Sequence, residues 1–154
     1  MQHATIAEAT FRGDTSSRSA AKSRGRPIHQ ILVTFSAAYF AGALVTDLAY
    51  WHVPDVLWER FSIWLIAAGL VMAALATIAY LIDLAGGRRI DNPAWSCVIG
   101  YALAVLLSVI NAFVHSRDGY TAVVPTGLML SGLAVVILLL VGWLGSRDRT
   151  GAAI

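Results

Sequence analysis

The sequence predicts an all-α integral membrane protein, an up-down-up-down four-helix bundle with both termini cytoplasmic. Three observations carry that expectation. First, four largely apolar stretches follow Pro27, at about Ile28–Trp51, Phe61–Leu84, Ala94–Val114 and Val123–Leu144. Each is long enough to cross a hydrocarbon core of about 30 Å at 1.5 Å per residue. Second, 58% of the 154 residues are hydrophobic and only 13% charged, against about 25% charged in an average soluble domain. A water-soluble fold of this size has too little interior to hide so much apolar surface. Third, the basic residues are one-sided. Arg12, Arg18, Lys22, Arg24 and Arg26 precede the first stretch, Arg88 and Arg89 separate the second from the third, and Arg147 and Arg149 follow the last, leaving only Arg60 and Arg117 elsewhere. The positive-inside bias therefore places both ends of the chain and the Arg88 loop in the cytoplasm.

The segments follow in order. Residues 1–26 read as a flexible basic tail, rich in Ser, Ala, Thr and Arg and without the apolar centre of a secretory signal. Helices are expected at about 28–51, 56–85, 93–115 and 122–145, within a transmembrane domain of residues 27–146, and residues 147–154 form a short tail. Pro54 and Asp55 separate helices one and two, with Asp55 a candidate cap and Val56 to Arg60 an interfacial turn, which makes helix two the longest. Gly86 and Gly87 can stop it, and Asn92 with Pro93 reads as cap and first residue of helix three. Ser116 to Thr121, containing Gly119, forms the second outer loop, and Pro125 is expected in the first turn of helix four. Such short connections put successive helices side by side and antiparallel.

Small residues recur every fourth position: Ala38, Gly42 and Thr46 on helix one; Gly69, Ala73 and Thr77 on helix two; Gly100, Ala104 and Ser108 on helix three; Gly127 and Ser131 on helix four. In lipid such stripes allow close backbone approach, the main source of helix association there. Tyr50, Trp51, Trp58, Phe61, Phe113 and Tyr120 gather at the outer boundary and Trp95 and Trp143 at the inner one, the distribution of an aromatic belt.

Polar residues within the spans are the candidates for chemistry, because a charge at the bilayer centre costs at least about 2.5 kcal/mol. Asp47 lies about one turn below the outer surface and Asp83 about one turn from the inner one. The opposed directions of helices one and two keep them from forming a single carboxylate site. Asn111 lies at the depth of Asp47, so an amide-to-carboxylate hydrogen bond between helices one and three is the expected way to satisfy both; the competing use is an outward-facing pocket. A b-type haem needs two imidazoles at one depth. His52 and His115, both at the outer boundary, are the pair that geometry allows, whereas His29 at the inner boundary has only His3 of the tail for company. Cys97 has no disulfide partner in the chain. The basic run Arg18 to Arg26 lacks interleaved aromatics and reads as a juxtamembrane segment touching anionic lipid, so no nucleic-acid partner is expected. No phosphate loop, paired-Cys metal spacing or His-Glu-x-x-His run is present, so no catalytic residue and no metal site is assigned.

Pro27, His29, Leu32, Val33 and Phe35 opening helix one, Asp47 closing it, Trp64 with Ala67 to Leu70 and Ile82-Asp83 in helix two, Asn111 in helix three, and Gly142-Trp143-Leu144-Gly145 ending helix four form an ordered set. In it the chain resembles a family of bacterial four-helix membrane proteins known only as a domain of unknown function, whose helix one opens with a His-Pro-rich Leu-Val-His-Phe-Pro run. The likeness spans about Pro27 to Gly145. Thr34 and Ser36 stand where that family has a second His and the following Pro, and a His near the start of helix three is replaced within Trp95 to Cys97. If those imidazoles hold a cofactor in some members, the resemblance implies that this chain has lost that site. It further implies a bacterial inner-membrane location and an association with cytochrome-c-like or Rieske-type redox domains.

The leading expectation is a non-catalytic membrane subunit or anchor that docks a membrane or periplasmic redox partner in a quinone-linked electron-transfer assembly. A small transporter or channel protomer, working as a homo-oligomer around Asp47, Asn111 and Asp83, is the first alternative. A haem- or quinone-binding oxidoreductase subunit is the second.

Overall fold

The computed structural model describes residues 27–86, 95–117 and 123–151. The expected tail 1–26, the Gly87 to Arg89 loop, the Asn92-Pro93 cap, Gly119 and Tyr120 of the second outer loop, and residues 152–154 lie outside them. Four helices make up the described chain: α1 (Ile28–His52), α2 (Val56–Ala85), α3 (Trp95–Ser116) and α4 (Leu128–Gly151). All four are long and apolar enough to cross a membrane. In hydrocarbon no water can bond a free N–H or C=O, so a helix, whose backbone is satisfied within itself, is the element such sequences must adopt.

The helix ends follow local chemistry. Val53 closes α1 by donating its N–H to Ala49 O at 2.8 Å, and the Asp55 side chain caps α2 by accepting the Leu57 N–H at 2.9 Å. At the other end the Gly86 N–H bonds Ile82 O at 2.9 Å. With 30 residues, α2 is about 45 Å long, more than a hydrocarbon core of about 30 Å, so it must tilt or carry its ends into the headgroups.

Helix four differs from expectation at both ends. A short wide turn, Val123–Gly127, precedes it, and Val124 leaves the helical region there (φ −117°, ψ 123°). The ring of Pro125 clashes with a helical residue before it, so Pro125 sits ahead of the α-helix rather than in its first turn. Beyond residue 145 the helix runs on to Gly151. Ser146 donates to Trp143 O at 2.7 Å, and the Arg147 guanidinium lies 3.9 Å over the Trp143 ring, so the start of the expected tail is a further helical turn.

Successive helices pack side by side, most closely in the α1–α2 and α3–α4 hairpins, and α4 returns against α1 to close the bundle. The end holding Pro27 and Gly86 is called proximal below, and the end holding the Val53–Asp55 corner distal. Large apolar side chains point outward: Trp64 is 74% exposed, Trp95 80%, and Leu139 and Met129 are exposed as well. Small ones line the interior, with Ala43, Ala73, Ala104 and Ala134 buried. This is the reverse of a water-soluble core and the arrangement lipid requires, since packing rather than the hydrophobic effect holds such helices together. Gly69 of α2 makes room for α1, since an added Cβ there would stand 2.6 Å from the buried Phe40 ring.

Candidate functional site

The distal half of the bundle contains a closed polar cluster to which every helix contributes. Asp47, near the end of α1, is wholly buried. Its Oδ1 accepts a hydrogen bond from Ser62 Oγ of α2 and lies 3.0 Å from His115 Nε2 of α3. Its Oδ2 accepts from Ser131 Oγ of α4 at 2.5 Å. Asn111, one turn before His115, donates from Nδ2 to Ser131 Oγ at 2.7 Å, and His115 Nδ1 bonds Asn111 O at 3.0 Å. The two side chains of the Asp47–His115 pair are 0% exposed.

Each position follows from helix phase. Asp47 shares its stripe with Ser36, Phe40 and Ala43, and His115 shares one with Ala104, Ser108 and Asn111, at the alternating three and four spacing of a single helix face. Gly127 supplies the floor, since a Cβ there would stand 2.9 Å from His115 Cε1. Glu59, one turn before Ser62 on the buried face of α2, is within electrostatic reach of His115 and makes no hydrogen bond or ion pair among the described residues.

The two hydroxyl donors on Asp47, at about 0.6 kcal/mol for an average hydrogen bond between membrane helices, yield about 1 kcal/mol. That falls short of the about 2.5 to 3.5 kcal/mol that a charge costs at mid-membrane. The imidazole makes up the difference by offering a counter-charge or a shared proton, which explains why the carboxylate is paired with a histidine rather than with hydroxyls alone.

A second carboxylate–imidazole pair sits at the proximal end. His29 Nδ1 lies 3.3 Å from Asp83 Oδ2, with side-chain exposures of 11% and 14%, and the His29 ring meets Tyr80 edge-on at 5.5 Å. Between the two pairs lies a buried layer of Phe40, Ile66, Ala73, Ala104 and Ala134. The hydroxyls of Ser36 and Tyr101 are buried near each other at the proximal side of that layer, outside normal hydrogen-bond geometry, and within the distal cluster Asn111 Oδ1 is buried with no hydrogen-bond partner. Ser108 turns its hydroxyl back onto Ala104 O at 2.9 Å, so it opens no polar route through the layer.

The structure keeps Asp47 and Asp83 apart, in different clusters. It joins Asp47 to Asn111, but through Ser131 rather than by the direct bond expected; the direct link between helices one and three is His115 to Asp47. The expected haem pair is not brought together. His52 is exposed, whereas His115 faces inward with both ring nitrogens engaged. Glu59, Ser62 and the His29–Asp83 pairing are absent from the sequence reading. Glu59 and Ser62 could have been found from their three-residue spacing on the face that carries Ile66 and Gly69.

The cluster holds the residue types of a Ser-His-Asp triad in a different order. There the imidazole stands between carboxylate and hydroxyl and activates the latter. Here the carboxylate stands between imidazole and hydroxyls, and both serines donate to it. No nucleophile is activated by that arrangement. Among the described residues no group of three His, Cys, Asp or Glu side chains is placed to hold a metal ion. Cys97 Sγ donates a weak hydrogen bond to Val141 O of α4 at 3.8 Å.

The family model that matches residues 25–150 is described as a predicted membrane protein, DUF2231. No curated protein and no solved structure matches the chain.

Proposed function

The chain belongs to the DUF2231 family of predicted membrane proteins, and from that premise we propose that it is a non-catalytic, multi-pass subunit or anchor of the bacterial inner membrane. It has both termini in the cytoplasm and docks a partner protein. One observation carries this reading: the polar groups of the distal interior bond one another across all four helices, above a buried apolar layer. A bundle so closed has its outer faces to offer a partner. The nature of that partner, a redox protein drawing on the quinone pool, rests on the family resemblance set out above. Solubilising the chain from its native membrane in a gentle detergent should bring a redox subunit with it, and a chain that emerges alone counts against the proposal.

The paired carboxylates and imidazoles at opposite ends favour one other reading, a transporter or channel protomer. The layer around Phe40 and Ile66 divides the two pairs, so this reading needs a self-associated form with a path between protomers. Flux through reconstituted vesicles that vanishes in both Asp47→Asn and Asp83→Asn would favour it over the anchor. An optical spectrum without a Soret band would remove a haem-bearing subunit from consideration.

A further inference from the structure

The hydrogen bonds of His115 fix how many protons it holds. A carbonyl oxygen can only accept, so Nδ1, against Asn111 O at 3.0 Å, carries hydrogen. The contact of Nε2 with Asp47 Oδ1 at 3.0 Å then needs one more proton, held either by the nitrogen as imidazolium or by the carboxyl as acid. In both forms the pair is electrically neutral, the condition under which it can be buried at 0% exposure. Without that proton, a nitrogen lone pair would face a carboxylate oxygen in a site that water does not reach.

From this we infer that Asp47, His115 and Glu59 form a proton-binding site that takes up and releases a single proton at the distal end of the bundle. The proton leaves the bond between Nε2 and Oδ1 for water at the distal end of the bundle; no bond between heavy atoms changes and nothing is oxidised. Glu59 is a neighbouring anion: it is buried one turn nearer the end of α2 than Ser62, on the face from which Ser62 donates to Asp47 Oδ1. Among the described residues the titratable groups around the pair are Asp47 from α1, Glu59 from α2 and His115 itself from α3, while α4 and the turn before it present Ser131 and Gly127. Release leaves Asp47 and His115 repelling each other, so occupancy by the proton governs how closely α1 and α3 pack.

The test is a pH titration of the full-length chain in lipid nanodiscs, with nitrogen-15-labelled histidine read by NMR. Replacing His3, His29 and His52 with Gln leaves His115 as the single source of signal, and the wild-type spectrum less the three assigned signals gives the same information should that variant fold poorly. The expected result is one protonation step at Nε2 while Nδ1 stays protonated. In Glu59→Gln, and in Glu59→Ala as its control, the proton should be lost at a lower pH than in the wild type, as removal of a nearby anion dictates. Nitrogen signals that stay constant wherever circular dichroism reports an intact bundle would overturn the inference, as would a titration that neither Glu59 variant displaces.

Discussion

The bundle sets a carboxylate against an imidazole at each of its ends, and the two pairs are built differently. At the distal end Asp47 and His115 meet at 3.0 Å with no exposure, and two serines and an asparagine complete the set. At the proximal end His29 and Asp83 meet at 3.3 Å with exposures of 11% and 14%. The chemistry is the same and the surroundings are not. A pair that reaches interfacial water can lose a partner and rehydrate the other, whereas a dry pair leaves an unsatisfied group inside. Burial rather than residue type should therefore set the cost of breaking each pair.

Asp47→Ala should have the largest effect, about 3 to 5 kcal/mol of unfolding free energy, because it strands the His115 nitrogen and two serine hydroxyls in a dry site. Unfolding in mixed detergent–denaturant micelles measures this. Asp47→Asn sharpens the point: its amide can donate to a neutral Nε2 and its oxygen can accept from Ser131, so a loss of about 1 kcal/mol is expected. Equal losses in the two variants would sink the account of the pair. Gly69→Ala should cost about 1 to 3 kcal/mol, since the new methyl group meets the buried Phe40 ring; thermal unfolding of the same preparation reads it. Gly127→Ala follows, at about 1 to 2 kcal/mol. It pushes on His115 Cε1, so most of its effect should disappear when His115 is already Ala, a double-mutant cycle that ties the glycine to the imidazole. The smallest effect belongs to His29→Ala, about 1 kcal/mol, because that pair is only partly buried. A loss as large as that of Asp47→Ala would erase the contrast between the ends.

The same contrast marks what could be read from the sequence. The four spans were legible because lipid leaves a long apolar segment no alternative to a helix, and the bounds of α2 follow from Asp55 and Gly86. The start of α4 was not, because the constraint acts on Val124 through its neighbour Pro125 rather than through any apolar pattern. The small-residue stripes were legible in part. Four residues turn a helix by about 40° more than a full revolution, so strict spacing of four winds away from the interface. Gly69 and Ala73 are buried but Thr77 is exposed, with Ala76 in its place, and Ala38 faces outward while Ser36, Phe40 and Ala43 pack. Asp47, Asn111 and His115 stood out as polar residues at similar depth. Depth does not give rotation about the helix axis, so which of them touch, and that Ser62, Ser131 and Glu59 join them, required the assembled bundle.

The layer of Phe40, Ile66, Ala73, Ala104 and Ala134 has an electrical meaning. It sets a stretch of low dielectric across the interior of the bundle, where a charge is costly to place. The two carboxylate–imidazole pairs therefore sit in separate compartments of the bundle, one on each side of that layer.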